Sequence, residues 1–477
     1  MARCGDPGHW EFNQAMSDRD PGQFRADRCP GPSTDDILDA DSRPVPATLR
    51  DDSWRDLGDA PLAADRYTST AFFEAEKRRM WPNVWQMAAR DDEFPEPGDL
   101  VVFNNVGRSY LLVRQDDGSV RAFHNVCLHR GRLLRTQSGA ATELECPFHG
   151  FAWKLDGGLK RVPCQWDFAH LEGKDMTLPQ LRVGHFAGFV FVTESATAPS
   201  LDAFLDPLPK VFDRWRLHEN TTAIWVAKVV PANWKAVAEA FMEAWHSVVT
   251  HPQILPFTGD ANTRYSLWGD HVNLALTPFG VLSPHLGDKG LGEQDILDAL
   301  SGRGSGRLNV GEGMTVPEGL TARRLLADAN RQQFLDARGY ASADASDSEM
   351  LDAMTYNVFP NLSPWGGFGG NIVYRWRPWP DQHKTLMEVR ILSRAPKGQP
   401  VPRACEMRML GDDEPWSTVT EWGMLGAVFD QDMANLPYVQ QGLIASPNNR
   451  VELGHYQESR IRQFHQTLDK YLAGDLP

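Results

Sequence analysis

The sequence is short of positive charge. Against 63 acidic residues stand 48 lysines and arginines, a net charge of −15, and that deficit argues against nucleic acid or an anionic membrane as a partner. Cysteine is scarce as well: six in 477 residues do not make a disulfide framework. Long apolar runs are missing. None approaches the roughly 20 residues needed to cross a bilayer, and the first forty residues are polar rather than leader-like. Together these absences predict a soluble, cytoplasmic protein. No dinucleotide-binding glycine fingerprint is present, and no internal repeat. The Gly-Arg-Gly-Ser-Gly-Arg run at 302–307 lacks the preceding strand and the Lys-Ser/Thr pair of a phosphate loop.

What is present suffices for two or three domains, with 42% hydrophobic residues to build their cores. Residues 1–60, rich in Asp, Arg, Pro and Gly, read as an extension that is disordered or drapes over another surface; His9 reads as a surface residue. A short amphipathic helix is expected over 68–81, capped by Ser69 or Thr70. Short strands follow at 84–88, 99–104, 109–114, 120–125 and 188–193, punctuated by Pro97-Gly98 and Asp116 to Gly118. A proline-rich linker at 196–209 leads to a strand at 222–230. Pro231 then opens a helix that Pro252 stops. The stretch 259–319 reads as irregular, followed by helices at 322–338 and 348–355, a hairpin of 371–377 with 384–393, and helices at 415–432 and 451–473.

Two places carry chemistry. Between Cys127 and Gly150, C-L-H-R-G and C-P-F-H-G offer Cys127, His129, Cys146 and His149 in two short pairs. Such ligands suit a tetrahedral zinc or a two-iron cluster. Each half mixes one cysteine with one histidine, whereas zinc fingers usually pair like with like. Gly131 and Gly150 close both loops, which suits amides turned toward bridging sulfides. Iron is therefore favoured, and this stretch resembles a Rieske [2Fe-2S] domain. The remaining Cys4, Cys29, Cys164 and Cys405 read as free thiols.

Further on, Glu243 and His246 share a helix face and His251 lies five residues beyond. The two histidines reach one metal only if the helix unwinds between them, which the Val-Val-Thr-His-Pro ending permits. Oxygen-activating non-haem Fe(II) sites use two histidines and one carboxylate. Asp432 in V-F-D-Q-D is the preferred third ligand and Asp430 its competitor.

A Rieske-type cluster followed by N-W-K at 233–235, E-x-x-H-x-x-x-x-H at 243–251 and a late Q-D is similar, over residues 65–450, to the catalytic α subunits of Rieske non-haem iron oxygenases. The resemblance implies an α+β fold: a small all-β Rieske domain (91–195) inserted between an N-terminal helical part (61–90) and the main body (196–477) of a catalytic domain with a central antiparallel sheet and covering helices. It implies that Cys127 and Cys146 hold one cluster iron, His129 and His149 the other, and His246, His251 and Asp432 a mononuclear Fe(II). Glu243, where Asp is commoner in the family, would bridge to a cluster histidine of a neighbouring subunit. A family asparagine is replaced by Ala240.

The implied reaction uses O2 and electrons from a separate reductase or ferredoxin, in a homotrimer with or without small β subunits. The expected chemistry is dihydroxylation or monohydroxylation of an apolar, preferably aromatic, small molecule, as in aromatic hydrocarbon catabolism. Oxidative O- or N-demethylation, or a non-aromatic substrate, is the alternative, and Glu243 speaks for it. Remoter readings are a pure electron carrier or a structural zinc protein. The first lacks the extra loop cysteines, whose places hold Arg132 and Phe148, and leaves everything after residue 196 without a role.

Overall fold

The computed structural model describes residues 32–300, 313–339 and 342–477. Cys4, His9, Cys29 and the 302–307 glycine run lie outside the described residues. Residues 32–60 drape over the larger body. Arg323 pairs with Asp41 at 2.9 Å, Arg264 with Asp35 at 2.6 Å, and the Trp268 indole N–H donates to Asp51.

Alternation of apolar residues builds the smaller sheet. Its seven strands lie in the order Gln86–Arg90, Phe189–Thr193, Gln180–Phe186, Val120–His124, Arg108–Arg114, Asp99–Asn105 and Gly139–Ala140. Neighbours are antiparallel throughout. One face buries Val101, Phe103, Tyr110 and Leu112. The other buries Leu100, Leu111 and Val113 together with Cys127 and Cys146, as a period of two demands. The sheet already takes in Gln86, ahead of the expected boundary at 91. Pro97-Gly98 makes the turn foreseen for it: Gly98 sits at φ 88, and a Cβ there would lie 2.8 Å from the Ala141 carbonyl oxygen. A three-stranded ribbon, Leu144–Glu145, Ala152–Trp153 and Leu159–Arg161, carries the second ligand loop.

The larger sheet has eight strands in the order Arg264–Trp268, Val272–Thr277, Ala353–Val358, Leu362–Pro364, Ile372–Pro378, Thr385–Arg394, Asn220–Val230 and Arg408–Met409. Only the last pair is parallel. Helices Trp234–Glu239, Met424–Ala445 and Ser459–Ala473 cover it. The chain ahead of the small sheet belongs to this body: Leu62 pairs with Val451, Arg66 binds Asp469, and buried Glu76 binds buried Lys235. The expected α+β architecture, with an all-β unit inserted in it, is borne out.

Several elements differ from expectation. The helix after Pro231 starts at Trp234, because Asn233 is the stronger cap: its side chain accepts from Lys235 N and donates to the Tyr67 and Gln382 carbonyls. It ends at Glu239, and a separate turn of helix covers only Ser247–Thr250. The linker holds helices at Leu201–Leu205 and Leu208–Asp213, and the stretch 259–319 holds the hairpin 264–277 and a helix at Glu293–Leu300. The expected helix at 348–355 is Asp347–Leu351 plus a strand. That at 415–432 begins at Met424 and runs through Pro437, and the last begins at Ser459.

Buried charge joins the two sheets. Glu388 takes both Arg375 (2.7 Å) and Arg377 (3.1 Å). Arg375 also donates to the Ala88 carbonyl, Arg390 to Glu93, and Arg90 to the Asn220 carbonyl. Burial alone would raise the Glu388 carboxyl, but the guanidiniums of Arg375, Arg377 and Arg390 outweigh it and hold the pKa at about 2. A depressed acid contributes stability that is complete above its ordinary value of 4.5 and is lost as pH falls toward 2. Glu388→Gln should therefore cost about 3–5 kcal/mol at pH 7, because it strands buried guanidiniums, and the variant should lose less further stability than the parent between pH 4.5 and 2. Urea unfolding at several pH values reads both effects.

Candidate functional site

The first site grows from two loops that emerge from strand ends. In each, the backbone folds back on its cysteine: Cys127 N donates to Arg132 O and Gly131 N to Cys127 O, Cys146 N to Phe151 O and Gly150 N to Cys146 O. This matched pair of turns needs left-handed backbone at Gly131 (φ 75) and Gly150 (φ 74). Cys127 and Cys146 are 3% and 1% exposed. Burial pushes the Cys127 thiol up, while the N–H groups of His129 and Arg130 donate to its sulfur and pull it down. The His129 and His149 rings lie 4.7 Å apart. His129 stacks on Phe151, and its Nδ1 is buried with no hydrogen-bond partner. A buried ring nitrogen left free is what a metal ligand requires. His149 and Phe148 are exposed.

The second site forms where the helix gives out. After Glu239 the backbone tightens, Phe241 N to Ala238 O and Met242 N to Glu239 O, and then opens until Ser247. Glu243 stabilises the opening. Its carboxylate accepts from His246 N at 3.0 Å and from His246 Nδ1 at 2.5 Å, which leaves Nε2 facing inward. His251 is held likewise, Nδ1 against Gln431 Oε1 at 2.8 Å, and Gln431 is held by Gln253. Asp432 Oδ1, from helix 424–445, lies 2.9 Å from His251 Nε2 and 3.7 Å from His246 Nε2. Burial would depress the His246 pKa, but the Glu243 hydrogen bond and the charges of Glu243, Asp432 and Asp260 outweigh it and raise it.

Among the described residues, His246, His251 and Asp432 are the one set of three or more such side chains whose ligand atoms all lie within 4.8 Å of one another. The four cluster side chains do not meet that condition, which a single tetrahedral zinc with bonds of about 2.0–2.3 Å demands and a two-iron cluster does not. Asp430, the competitor for Asp432, points elsewhere: it accepts from Trp416 N at 2.7 Å and Ser417 N at 3.2 Å, capping the turn before the helix.

A cavity of about 220 Å³ adjoins His246, His251 and Asp432. Phe241, Phe257, Phe279, Trp365, Tyr374 and Phe429 wall it, and Ala240 lines it too. Of the aromatics close in sequence to these side chains, Phe241 and Phe429 line the cavity, Trp422 packs on Phe429 in the core, and Trp245 is 46% exposed.

Residues 210–474 match the family described as ring hydroxylating alpha subunit (catalytic domain), and residues 84–172 match the Rieske [2Fe-2S] domain. The chain belongs to the ring-hydroxylating alpha-subunit family. Its cofactors are accordingly a Rieske [2Fe-2S] cluster and a mononuclear iron. The chain is 33% identical over 197 residues to the carnitine monooxygenase oxygenase subunit of Escherichia coli K12, covering 40% of this chain and 52% of that one. It is 32% identical over 220 residues to the biphenyl 2,3-dioxygenase alpha subunit of Rhodococcus jostii RHA1, covering 42% and 47%. The chain thus spans about half the length of the curated relatives it matches. Among solved structures, a quaternary ammonium Rieske monooxygenase in complex with L-carnitine superimposes with TM-score 0.58 at 20% identity, over 87% of this chain and 96% of that one. Naphthalene 1,2-dioxygenase with indole bound gives 0.61 at 19%, over 88% and 93%. These two likenesses show the fold.

Sequence reasoning missed Gln431, although it sits inside the quoted V-F-D-Q-D motif. It also missed Asp260, buried behind Ser247, which no local pattern marks. In this alpha subunit, Asp432→Ala should lose the mononuclear iron and keep the cluster iron. Asp430→Ala should keep both and lose about 0.5–2 kcal/mol of stability as a missing cap. Metal analysis with denaturant titration separates the two variants.

Proposed function

We propose that this alpha subunit is the terminal oxygenase of a multicomponent system, which takes electrons from a separate reductase or ferredoxin and uses O2 to hydroxylate a small molecule with an apolar, aromatic body. The observation that carries the reading is the convergence of two imidazole Nε2 atoms and one carboxylate oxygen beside an aromatic-walled cavity, in a chain whose Cys127, His129, Cys146 and His149 form a Rieske loop pair. In this reading Cys127 with Cys146 and His129 with His149 each hold one cluster iron, and His246, His251 and Asp432 hold the mononuclear iron. When bound, these groups supply electrons one at a time and a site for O2 reduction beside the substrate.

The chain's own residues prepare that chemistry. Glu243 and Gln431 fix both imidazoles with Nε2 inward, as outer partners of metal ligands do. The aromatic walls orient an apolar substrate and keep water out. In this reading Glu243, which already holds His246, also accepts from a cluster histidine of a neighbouring copy. Apolar side chains exposed around both ends of that contact support a homotrimer: Leu133 and Phe148 beside the cluster, Trp245 and Val249 beside Glu243. Among the described residues no helix is long and apolar enough to cross a membrane.

A second substrate class, quaternary ammonium compounds, is favoured by Glu at 243 and by the carnitine monooxygenase relatives; an aromatic wall attracts such a cation through its π faces. Oxidation of an N-methyl or adjacent carbon would be the corresponding reaction. The deciding experiment supplies the purified protein with a ferredoxin and reductase, oxygen-18 dioxygen, and a panel of naphthalene, biphenyl, chlorobenzene, L-carnitine and glycine betaine. A labelled product from an arene is expected, one from a quaternary ammonium compound selects the second reading, and unlabelled substrate throughout sinks both.

Glu243→Gln should leave both metal centres occupied and slow turnover about 10–100-fold. His246→Ala should empty the mononuclear site while the visible absorption of the cluster stays. Normal turnover in the Glu243 variant would remove its bridging role.

A further inference from the structure

Inserting oxygen from O2 into a substrate consumes protons as well as electrons, and the cavity beside His246 is walled by aromatic rings. A chain of hydrogen bonds runs from that cavity toward the surface on the other side of the unwound turn. Ser247, next in sequence to His246, lines the cavity and is 3% exposed. Its hydroxyl donates to the Ala244 carbonyl at 2.6 Å and lies 3.4 Å from Asp260 Oδ2. Asp260 is fully buried. Its Oδ1 accepts from Ser283 Oγ at 2.5 Å, and Oδ2 meets His285 Nδ1 at 3.1 Å. The His285 side chain is 32% exposed, so its far ring nitrogen is open to water.

We propose that His285, Asp260 and Ser247 form a proton relay from the surface to the O2 site, a role that rests on the oxygenase reading above. His285 takes a proton from solvent at Nε2 and passes its Nδ1 proton to Asp260 Oδ2. The carboxyl hands this proton to Ser247 Oγ, whose own hydrogen swings from the Ala244 carbonyl into the cavity. Each passage moves one proton inward and leaves His285 as its Nε2–H tautomer. A flip of the partly exposed ring restores an N–H toward Asp260, and the Ser247 hydroxyl turns back to the Ala244 carbonyl before the next passage. The electron donor supplies two electrons for each O2, and two passages supply the matching protons, so that one oxygen leaves as water in monohydroxylation or both remain in a diol.

A carboxylate with no access to water is costly to bury, and three polar partners offset that cost. A purely structural Asp260, tying the 247 turn to the 283–285 loop, would need hydrogen bonds but not a titrating partner at the surface. Here the hydrogen bond to Asp260 raises the His285 pKa, burial opposes it, and the charge of Asp260 adds to the rise. Asp260 is the charged group that faces His285. Donation is therefore available below the raised value and is lost as pH climbs through it.

Two measurements test the relay. In metal-free protein, NMR titration of labelled histidine should place His285 above the ordinary value of about 6.5, and Asp260→Asn should bring it down. In the reconstituted holoenzyme, acting on whichever panel compound gives product, kcat should fall on the alkaline side at the NMR value of His285. His285→Gln, a half-exposed change, should lower kcat about ten-fold or more with KM and metal content unchanged, abolish that alkaline limb and shrink the solvent deuterium effect. Ser247→Ala should do the same, and Ser247→Thr should restore the rate. An ordinary His285 pKa, an alkaline limb that survives His285→Gln, or an unchanged rate overturns the relay while the oxygenase reading stands. A wild-type enzyme that oxidises none of the panel overturns the oxygenase reading and the relay with it.

Discussion

The contact on which the site depends is that of Asp432 Oδ1 with His251 Nε2, 2.9 Å across 181 residues of sequence. A carboxylate and two imidazoles are brought this close only if the backbone holds them there, since each would otherwise keep its own water. Two rigid parts do the holding. Helix 424–445 presents Asp432 and is tied through Asp430 to the turn at Trp416–Thr418, and the turn after Glu239 presents both histidines. The break before Ser247 detaches the turn that carries both histidines from helix 234–239, and His251, at φ −127 and ψ 53, leaves the helical turn of Ser247–Thr250, so that both rings reach Asp432.

How much of this is legible in sequence follows from how local each feature is. The cluster loops are readable outright, because four ligands and two turn glycines fall within 24 residues and the loop geometry is set by those residues themselves. Strands 99–105, 108–114 and 120–124 are equally plain, since alternation and turn residues act over a few positions. The hairpin 264–277 had its alternation in Tyr265, Leu267, Val272, Leu274 and Leu276, but glycine and irregular sequence around it hid the period. The helix start moved from Pro231 to Trp234 through tertiary bonds of Asn233, which no window on the sequence contains. Asp260 is the extreme case, defined by partners 13, 23 and 25 residues away and by burial.

The two sheets are held in fixed relation by charge rather than by apolar contact alone. A junction of guanidiniums and carboxylates demands good geometry at every member, because each unpaired buried charge costs several kcal/mol. It therefore resists the sliding that an apolar interface of similar area permits. Such rigidity suits the proposed assembly, in which the cluster loops meet a neighbouring copy at a defined distance.

In the proposed mechanism the seven residues from Phe241 to Ser247 carry three kinds of traffic on one unwound turn. Phe241 faces the substrate cavity. Glu243 and His246, three apart, form the face through which electrons would arrive, and Ser247, one residue on, opens toward Asp260 and His285. In an intact helix, adjacent residues differ by about 100° in direction, which separates an electron path from a proton path with little extra chain. Loosening the turn allows both paths to end at the same metal-facing pocket without crossing the aromatic wall that keeps it dry. The break lies before Ser247, where it turns Glu243 onto the His246 ring and the Ala244 carbonyl onto the Ser247 hydroxyl, and not at the β-branched residues 248–250, where the sequence points.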